Sequence, residues 1–401
     1  MNTVADHAKL PTSAIDVDLH SLASQRIARL RAKMQKSAID TLVVSSPENV
    51  LYASGYESMP ATINRRYGYC AIVTAADLLM VAPTADCAAA EEAGIKTDAF
   101  YPFGEFYFSG EQSGMHGKAW HAGFLDALSA AMARIRPGRM AVEFDHLPPA
   151  ISEMLKNAYS DAADATGFML QVRGQKLPDE IALLRHAAII TEQAIDAGIR
   201  AAAVGVTEKE VASVVAATMS MGGGFTRNVT VVGGPRSAYC DCHPTNRPLE
   251  PGDLLRFDVG CSYFGYKSDL ARTAVIGEPT ALQAGRYHAL LRGLEAEIEI
   301  ARAGIEAKEV YEAGMRRVEQ EGFADFRRHH LGHAIGMAVY EAPVINAHST
   351  AKLQENATFC LETPYYEPGW GGMMCEDTGI VTASGFELIS SLDRSLRVIP
   401  C

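Results

Sequence analysis

Apolar residues recur along this chain with two different periods, and each period predicts one kind of element. Four apolar side chains in residues 21–37 recur at near-helical spacing: Leu22, Ile27, Leu30 and Met34. That spacing predicts an amphipathic helix. Residues 41–45 form a short apolar run typical of a buried strand, and Ser46 before Pro47 indicates a helix start with Ser46 as the N-cap. Strands and helices continue to alternate, so this half is predicted to be an α/β domain.

The second half predicts longer helices separated by antiparallel hairpins. The stretch "VRGQKLPDEIALLRHA" is typical of a linker that enters a helix, because Asp179 and Glu180 place negative charge at the helix N-terminus. Further helices are predicted at residues 207–221, 280–303 and 307–321. We therefore predict an α+β chain with a domain boundary near residue 175.

Composition changes this picture only by excluding partners. The chain is 48% apolar and 21% charged, as in ordinary globular proteins. The net charge is −12 and Lys and Arg form no run, which argues against nucleic acid and anionic membranes as partners. No apolar stretch reaches the roughly 18 residues of a membrane span. The N-terminus lacks a signal-peptide pattern and the eight cysteines are scattered, so we expect reduced thiols and a cytoplasmic protein.

Candidate chemistry begins in the stretch "LLRFDVGCSYFGYKSDLARTAV", where two aspartates interrupt a predicted hairpin. Strand interiors are poor places for Asp. A tip at Tyr263–Phe264 would place Asp258 opposite Asp269, with Cβ atoms about 4.5–5.5 Å apart. Two buried carboxylates at that distance repel each other, unless a positive charge compensates them.

A second hairpin repeats the pattern, since a turn about Gly369 would place Glu362 opposite Glu376. Between the two pairs lies His333, among glycines in "LGHAIG". Four carboxylates and one imidazole suit two divalent cations, Mn²⁺ before Zn²⁺, Co²⁺ or Fe²⁺. Two such ions would hold a water between them and deprotonate it. The cysteines near these motifs lack the paired spacing of a thiolate site, so we interpret them as buried thiols.

The ordered set of these five residues resembles the ligand set of the pita-bread metallohydrolases, which include aminopeptidase P, prolidase, methionine aminopeptidase and creatinase. The motifs that carry the resemblance are "GDLLRFDVG", "GHAIG", "LETP" and "CEDTGIV". The N-terminal half also resembles prolidases and creatinases, through "RIARLRAKMQKSAIDTLVVSSPENVLYASGY" and the junction "RGQKLPDEIALLRHA".

The resemblance does not cover residues 1–20, which we expect to form a flexible arm. It implies an N-terminal α/β creatinase-type domain at 21–175 and a C-terminal pita-bread catalytic domain at 176–401. It also implies two divalent metal ions and a homodimer. The implied metal ligands are Asp258, Asp269, His333, Glu362 and Glu376. Among them, Glu362 is also implied to handle the proton, taking it from the water and passing it to the leaving amine.

The sequence departs from the proline-specific members of that family at three positions. Asp241 and Tyr340 stand where those peptidases have His, and Met374 stands where they commonly have Arg. His243 lies two residues from Asp241 and would face the same side of a strand, and His329 matches a family His. We expect His243, His329 or Tyr340 to steady the substrate carbonyl. We expect Asp241 to accept a hydrogen bond from the substrate.

Arg65 and Arg66 stand near the place where creatinase-like dimers use an arginine to bind a substrate carboxylate, so they are candidates for that contact. The sequence thus predicts a dinuclear metallohydrolase that cleaves a C–N bond, first of all in an Xaa-Pro peptide. The alternatives are hydrolysis of a small amide, as in creatinase or ectoine hydrolase, and a lyase of the same fold. A metal-free binding module with this fold is the rival from another class, and metal content discriminates it.

Overall fold

The computed structural model describes residues 15–64, 67–109, 114–136 and 138–401. The chain divides into two compact units, one spanning Val17–Arg173 and the other containing Gly174–Cys401. Arg65 and Arg66, and residues 1–14 of the predicted arm, lie outside the described residues. In the part of the chain that is described, no helix is long and apolar enough to cross a membrane.

The N-terminal unit is built around a mixed six-stranded sheet. Its strands are β1 (Thr41–Val44), β2 (Cys70–Thr74), β3 (Leu78–Pro83), β4 (Phe100–Phe103), β5 (Met140–Val142) and β6 (Ala163–Asp164). The helices in this part of the chain are α1 (Leu19–Lys36), α2 (Pro47–Ser54), α3 (Met59–Ile63), α4 (Cys87–Glu92), α5 (Phe124–Ala133), α6 (Pro149–Ala158) and α7 (Thr166–Gly174). The strand order is β4–β3–β2–β1–β5–β6, with β1 antiparallel to β2 and parallel to β5. The predicted α/β character of this half is confirmed.

Local capping explains where the first helices of this unit begin. The side chain of Asp18 accepts two backbone N–H bonds from the first turn of α1. The helix therefore begins at Leu19, inside the segment that was predicted to be a flexible arm. Ser46 caps α2 and Pro47 occupies its first turn, as predicted.

The C-terminal unit is dominated by a ten-stranded sheet. Its strands are β7 (Phe225–Gly233), β8 (Leu254–Tyr263), β9 (Tyr266–Lys267), β10 (Leu270–Ile276), β11 (Gly332–Ala334), β12 (Glu341–Val344), β13 (Thr358–Glu362), β16 (Glu376–Val381), β17 (Phe386–Leu388) and β18 (Arg397–Ile399). A separate two-stranded ribbon pairs β14 (Tyr365–Glu367) with β15 (Gly371–Met373). The main path of the large sheet is β12–β11–β13–β16–β10–β8–β7. The predicted antiparallel hairpins are therefore present.

Four long helices accompany this sheet: α8 (Pro178–Ala201), α9 (Glu208–Met221), α10 (Ala281–Ile300) and α11 (Ala307–Gln320). Helices α9 and α10 begin with capping boxes. The hydroxyls of Thr207 and Thr280 accept from the backbone N–H groups of Glu210 and Gln283, and the side chains of Glu210 and Gln283 accept from the backbone N–H groups of the two threonines. These local signals explain why the helices predicted from spacing alone are confirmed.

Alternation along the strands separates an apolar face from a polar one. Phe257 and Val259 of β8 pack in a core with α8 and α9, and Phe359 and Leu361 of β13 pack in a core with α10 and α11. Successive strand residues point to opposite faces. Asp258 and its alternate neighbours therefore point away from the helices, and this polar face carries the candidate site.

Candidate metal centre

Carboxylates from neighbouring strands of the C-terminal sheet lie in one row on its polar face. Glu362 of β13 pairs directly with Glu376 of β16, which confirms the register predicted from the turn about Gly369. Glu376 lies opposite Ala271 of β10, and Ala271 lies opposite Asp258 of β8. Three carboxylates thus occupy a single row across four adjacent strands.

A second row runs beside the first. His333 of β11 lies opposite Cys360 of β13, and Cys360 lies opposite Thr378 of β16. Cys360 and Thr378 are each two residues from a glutamate of the first row, so they face the same side. Cys360 is one of the cysteines that lie near the ligand motifs in the sequence, but only the pairing of distant strands places it between His333 and Thr378.

The first hairpin corrects the predicted pairing of the two aspartates. Its turn is at Phe264–Gly265, where both residues have positive φ, 45° and 83°, as in the type I′ turns that suit twisted hairpins. Asp258 therefore lies opposite Ala271 rather than opposite Asp269. The predicted tip was wrong by one residue, which shifts the pairing by two. A shift of two preserves the face, so both aspartates still point toward the glutamates.

The ligand atoms of these side chains lie close together. One carboxylate oxygen each of Asp258, Asp269 and Glu376 lies within 4.8 Å of the others. The same limit holds for one ligand atom each of His333, Cys360 and Glu376. Glu376 belongs to both groups, so it joins them. We call the following five side chains the carboxylate centre: Asp258, Asp269, His333, Glu362 and Glu376.

Burial dominates the electrostatics of the carboxylate centre. It raises the pKa of Asp258 to about 7 and that of Asp269 to about 6, and it raises the pKa of Glu376 well above its ordinary value, with repulsion among the carboxylates adding to the effect. Glu362 differs: burial alone would raise its pKa, but the hydrogen bond and charge of His330, together with the charges of His333 and Arg328, lower it. The centre therefore holds protons near neutral pH until a cation displaces them.

Two arginines hold two of the carboxylates in place. Arg256 is completely buried and donates to Asp258 at 2.9 Å, and it also donates to backbone carbonyls of the loop after β7. Arg227 donates to Asp269 at 3.1 Å. Arg227 is the extra residue of a bulge in β7, and such bulges re-aim side chains beside active sites. Neither contact is predicted from the sequence, although Arg256 stands two residues before Asp258 on the same face.

His333 is arranged as a neutral ligand. Burial lowers its pKa, and its Nδ1 lies 3.1 Å from the carbonyl oxygen of Ala334. A carbonyl only accepts, so Nδ1 carries the proton and the lone pair remains on Nε2. Tyr340 stacks on this imidazole, with ring centres 3.7 Å apart and planes 24° apart, while 60% of Tyr340 stays exposed. The structure therefore places Tyr340 against a predicted ligand, at the solvent side of the centre.

The two adjacent histidines before β11 differ in position. His330 is buried, and its Nε2 lies 2.9 Å from Oε1 of Glu362. His329, which the sequence analysis selected, is exposed. The backbone turns His330 inward, so His330 is the member of this pair that contacts Glu362 of the carboxylate centre. The contact predicted for His329 was a different one, with the substrate carbonyl.

The remaining predicted residues lie around the centre with different exposure. Asp241 and His243 are both exposed, and Asp241 is close enough for its charge to act on Asp269. The backbone carbonyl of His243 accepts a hydrogen bond from Arg236. Met374 is buried, and its Sδ lies 3.8 Å from the hydroxyl of Tyr366.

One buried oxygen tests whether the carboxylate centre fits divalent cations. Oε2 of Glu376 is buried without a hydrogen-bond partner among the described residues, whereas Oε1 of Glu362 faces Nε2 of His330. Such orphaned acceptors are costly unless a positive charge or donor reaches them. Carboxylate oxygens and one neutral imidazole form the donor set that Mn²⁺, Co²⁺, Fe²⁺ and Zn²⁺ accept. The residues therefore fit such ions. Burial raises the pKa of the Cys360 thiol well above the ordinary range, so Cys360 is a neutral thiol in the metal-free protein.

Comparison of the sequence with known proteins matches both halves of the chain. Residues 182–383 match the sequence model of metallopeptidase family M24, and residues 26–175 match that of the creatinase/prolidase N-terminal domain. An Xaa-Pro dipeptidase of Lactobacillus helveticus is 31% identical over 266 residues, which is 65% of this chain and 72% of that protein. An Xaa-Pro dipeptidase of Pyrococcus horikoshii is 27% identical over 379 residues, which is 94% of this chain and 99% of that protein.

Solved structures agree over nearly the whole chain. The dipeptidase PepE from Mycobacterium ulcerans is 25% identical and superimposes with a TM-score of 0.78, covering 95% of this chain and 99% of that one. An Xaa-Pro dipeptidase from Bacillus anthracis is 23% identical and superimposes with a TM-score of 0.79, covering 94% of this chain and all of that one. The fold is thus a creatinase-type N-terminal domain followed by an α+β pita-bread domain.

Proposed function

This chain belongs to metallopeptidase family M24 and is a metal-dependent peptidase, and from that premise we propose that it hydrolyses the amide bond before proline in short peptides. The observation that carries the proposal is the carboxylate centre, in which Glu376 joins two groups of ligand atoms. The relatives named Xaa-Pro dipeptidase support the choice of substrate, because one of them is similar along almost its full length.

The proposed centre holds two divalent cations. Asp258 and Asp269 would bind one, His333 would bind the other, and Glu376 would reach both. The ions supply Lewis acidity, which activates a water and polarises the scissile carbonyl. Mn²⁺ is the proposed ion, since oxygen ligands outnumber nitrogen ligands here. A homodimer and a cytoplasmic location are further parts of this proposal, and they rest on the family resemblance and on the cysteine usage.

The chain's own residues would handle the proton and the substrate. Glu362 is proposed to take the proton of the attacking water and to deliver it to the leaving amine. His330 helps to keep Glu362 ionised for that task, because it lowers the pKa of Glu362 against the effect of burial. The hydroxyl of Tyr340 is proposed to donate to the carbonyl oxygen of the substrate. Asp241 is proposed to accept from a substrate N–H or ammonium group. Arg65 and Arg66 stay candidates for a substrate carboxylate.

The test is cleavage by the Mn²⁺-reconstituted protein of Ala-Pro and Gly-Pro, with Ala-Ala as the non-proline control and a chelated sample as the metal control. We expect chelator-sensitive cleavage before proline only. His333→Ala should lose both cleavage and bound Mn²⁺, measured by elemental analysis, while the exposed His348→Ala should retain both. A folded, metal-loaded protein that leaves every Xaa-Pro peptide intact would overturn the proposal. Small carboxylated amides would then be the substrates to try, because Met374 and Asp241 both depart from the proline-specific pattern.

A further inference from the structure

Three arginines lie beside the carboxylate centre, and they differ in what their guanidinium groups bind. Arg256 donates to Asp258, and Arg227 donates to Asp269. For Arg328, no residue in the described part of the chain accepts a hydrogen bond from the guanidinium group, and its Nε is buried without an acceptor. One of the three cations is therefore left unpaired by the residues that the structure describes.

Stacking, rather than hydrogen bonding, holds the Arg328 side chain. Its guanidinium carbon lies 5.3 Å from the centre of the Tyr366 ring, within the range of a cation–π contact. The backbone of Arg328 is fixed by the hydroxyl of Tyr311, which donates to its carbonyl oxygen at 2.5 Å. The side chain is half-buried. A planar guanidinium that is stacked, with its donors free, is pre-organised to bind a carboxylate through two parallel hydrogen bonds.

The neighbours of Arg328 place its guanidinium group on the side of the carboxylate centre that carries Glu362. It is close enough to Glu362 for its charge to act on that carboxylate. Arg328 stacks on the ring of Tyr366, and the hydroxyl of Tyr366 lies 3.8 Å from Sδ of Met374. Met374 is the position where proline-specific peptidases have Arg, and here it is an apolar side chain. Arg256 also lies over the Tyr366 ring, at 5.1 Å, but it donates to Asp258. Arg328 thus brings to this region a second guanidinium group, for which the described residues supply no acceptor.

The charge balance of the site leaves Arg328 in need of an anion. A half-buried guanidinium without a counter-ion is costly. In the metal-free protein, Glu362 supplies negative charge that acts on Arg328. Cations bound at the carboxylate centre would take up that charge, and Glu362 would then no longer compensate Arg328. An anionic group that arrives with the substrate would restore the balance.

We propose that Arg328 binds a free carboxylate on the leaving-amine side of the substrate. The enzyme would then select dipeptides and acylated amino acids over the corresponding amides and over longer peptides. The inference rests on the proposed function, because there Glu362 delivers the proton to the leaving amine, and Arg328 lies beside Glu362. Arg328 is a specificity-determining residue in this scheme, and it takes no part in bond cleavage.

The test compares Ala-Pro with its C-terminal amide in the Mn²⁺-loaded wild type, Arg328→Met and Arg328→Lys. The wild type should prefer the free acid in kcat/KM by about 10- to 100-fold, as expected for a charge-assisted pair. Arg328→Met should lose most of that preference, and Arg328→Lys should restore part of it by keeping the charge without the planar fork. Arg327→Met is the matched control, because the neighbouring Arg327 is exposed and donates to backbone carbonyls only.

Binding of L-proline and L-prolinamide to the same four proteins, measured by calorimetry, provides a readout that needs no turnover. Proline should bind more tightly than prolinamide to the wild type and to Arg327→Met, and this difference should be lost in Arg328→Met. A preference for the acid that survives in Arg328→Met, in either assay, would overturn the inference while leaving the peptidase proposal intact. If no peptide were cleaved, the proposed function would fail, and the Arg328 dependence of proline binding would still decide the inference.

Discussion

Two neighbouring buried acids on β16 distinguish a structural carboxylate from a functional one. Asp377 is bound by Arg272 at 2.7 Å, by Arg394 and by Ser390 at 2.8 Å. Glu376 points to the opposite face and keeps one buried oxygen without a hydrogen-bond partner among the residues that the structure describes. Native proteins rarely leave such groups unsatisfied. The difference between adjacent residues therefore locates the site that awaits a positive charge.

A residue-level prediction separates the two adjacent histidines. His330→Gln removes the imidazole that lies 2.9 Å from Glu362, so we expect kcat to fall by about 10- to 100-fold, as for other groups that support a metal-bound carboxylate. His329→Gln changes an exposed neighbour and should stay within about twofold of the wild type. Steady-state kinetics on a cleaved peptide measures both. Equal losses in the two variants would contradict the placement of His330.

The raised pKa values of the aspartates predict that metal binding depends on pH. Without metal, burial raises the pKa of Asp258 to about 7 and that of Asp269 to about 6. Below those values the carboxyls are protonated, and a cation must displace the protons. Mn²⁺ affinity should therefore weaken as the pH falls from about 8 to about 6, with protons released on binding. Calorimetry in buffers of different ionisation enthalpy measures both. An affinity that does not change over this range would contradict the prediction.

At the scale of elements, the two strands of the first hairpin approach closely at Gly260, and this approach positions Asp269. Gly260 of β8 has no side chain, and a Cβ atom there would lie 2.1 Å from the carbonyl oxygen of Ser268 and 2.8 Å from Nη2 of Arg227. The carbonyl belongs to the returning strand and cannot swing away as a side chain would. Gly260 thus permits both the tight hairpin and the contact between Arg227 and Asp269.

Gly260→Ala tests this requirement. The added methyl group must push the two strands apart, so we expect the free energy of unfolding to fall by about 3 kcal/mol, with weaker Mn²⁺ binding because Asp269 moves. Gly285→Ala is the control: Gly285 lies at an exposed position of α10, and a Cβ there meets nothing within 4 Å. That change should raise the free energy of unfolding by about 0.5–1 kcal/mol. Denaturant unfolding measures both variants. A neutral Gly260→Ala would show that the strands tolerate separation.

The stability of the whole molecule includes a cost from one buried acid outside the centre. Glu297 of α10 is completely buried, and neither of its carboxylate oxygens has a partner among the described residues. Gly314 of α11 makes room for it, since a Cβ at that position would lie 2.6 Å from Oε1. Burial, and then the charge of Glu362, raises the pKa of Glu297 well above its ordinary value of 4.5.

This acid predicts how global stability changes with pH. Glu297 keeps its proton when folded and releases it when unfolded above its ordinary pKa. The folded state therefore loses stability as the pH rises from 4.5 toward the raised value, by up to about 1.4 kcal/mol per pH unit. Glu297→Gln in the Mn²⁺-loaded protein should remove this slope, while Glu299→Gln, an exposed change on the same helix, should keep it. Denaturant titrations at several pH values measure the slope. If Glu297→Gln followed the wild type, the acid would not be titrating as inferred.

The sequence by itself determined the features that depend on short stretches of chain. Capping residues such as Thr207 and Thr280 set the helix starts, and the turn about Gly369 set the register of Glu362 against Glu376, because these signals act between residues close in sequence. Only the tertiary structure placed Cys360 between His333 and Thr378, turned His330 toward Glu362, and left the guanidinium group of Arg328 without a hydrogen-bond acceptor among the described residues. Those outcomes depend on how distant strands pair and pack. The alternation along one strand indicates which of its residues share a face, but it does not indicate which residues of other strands lie next to that face.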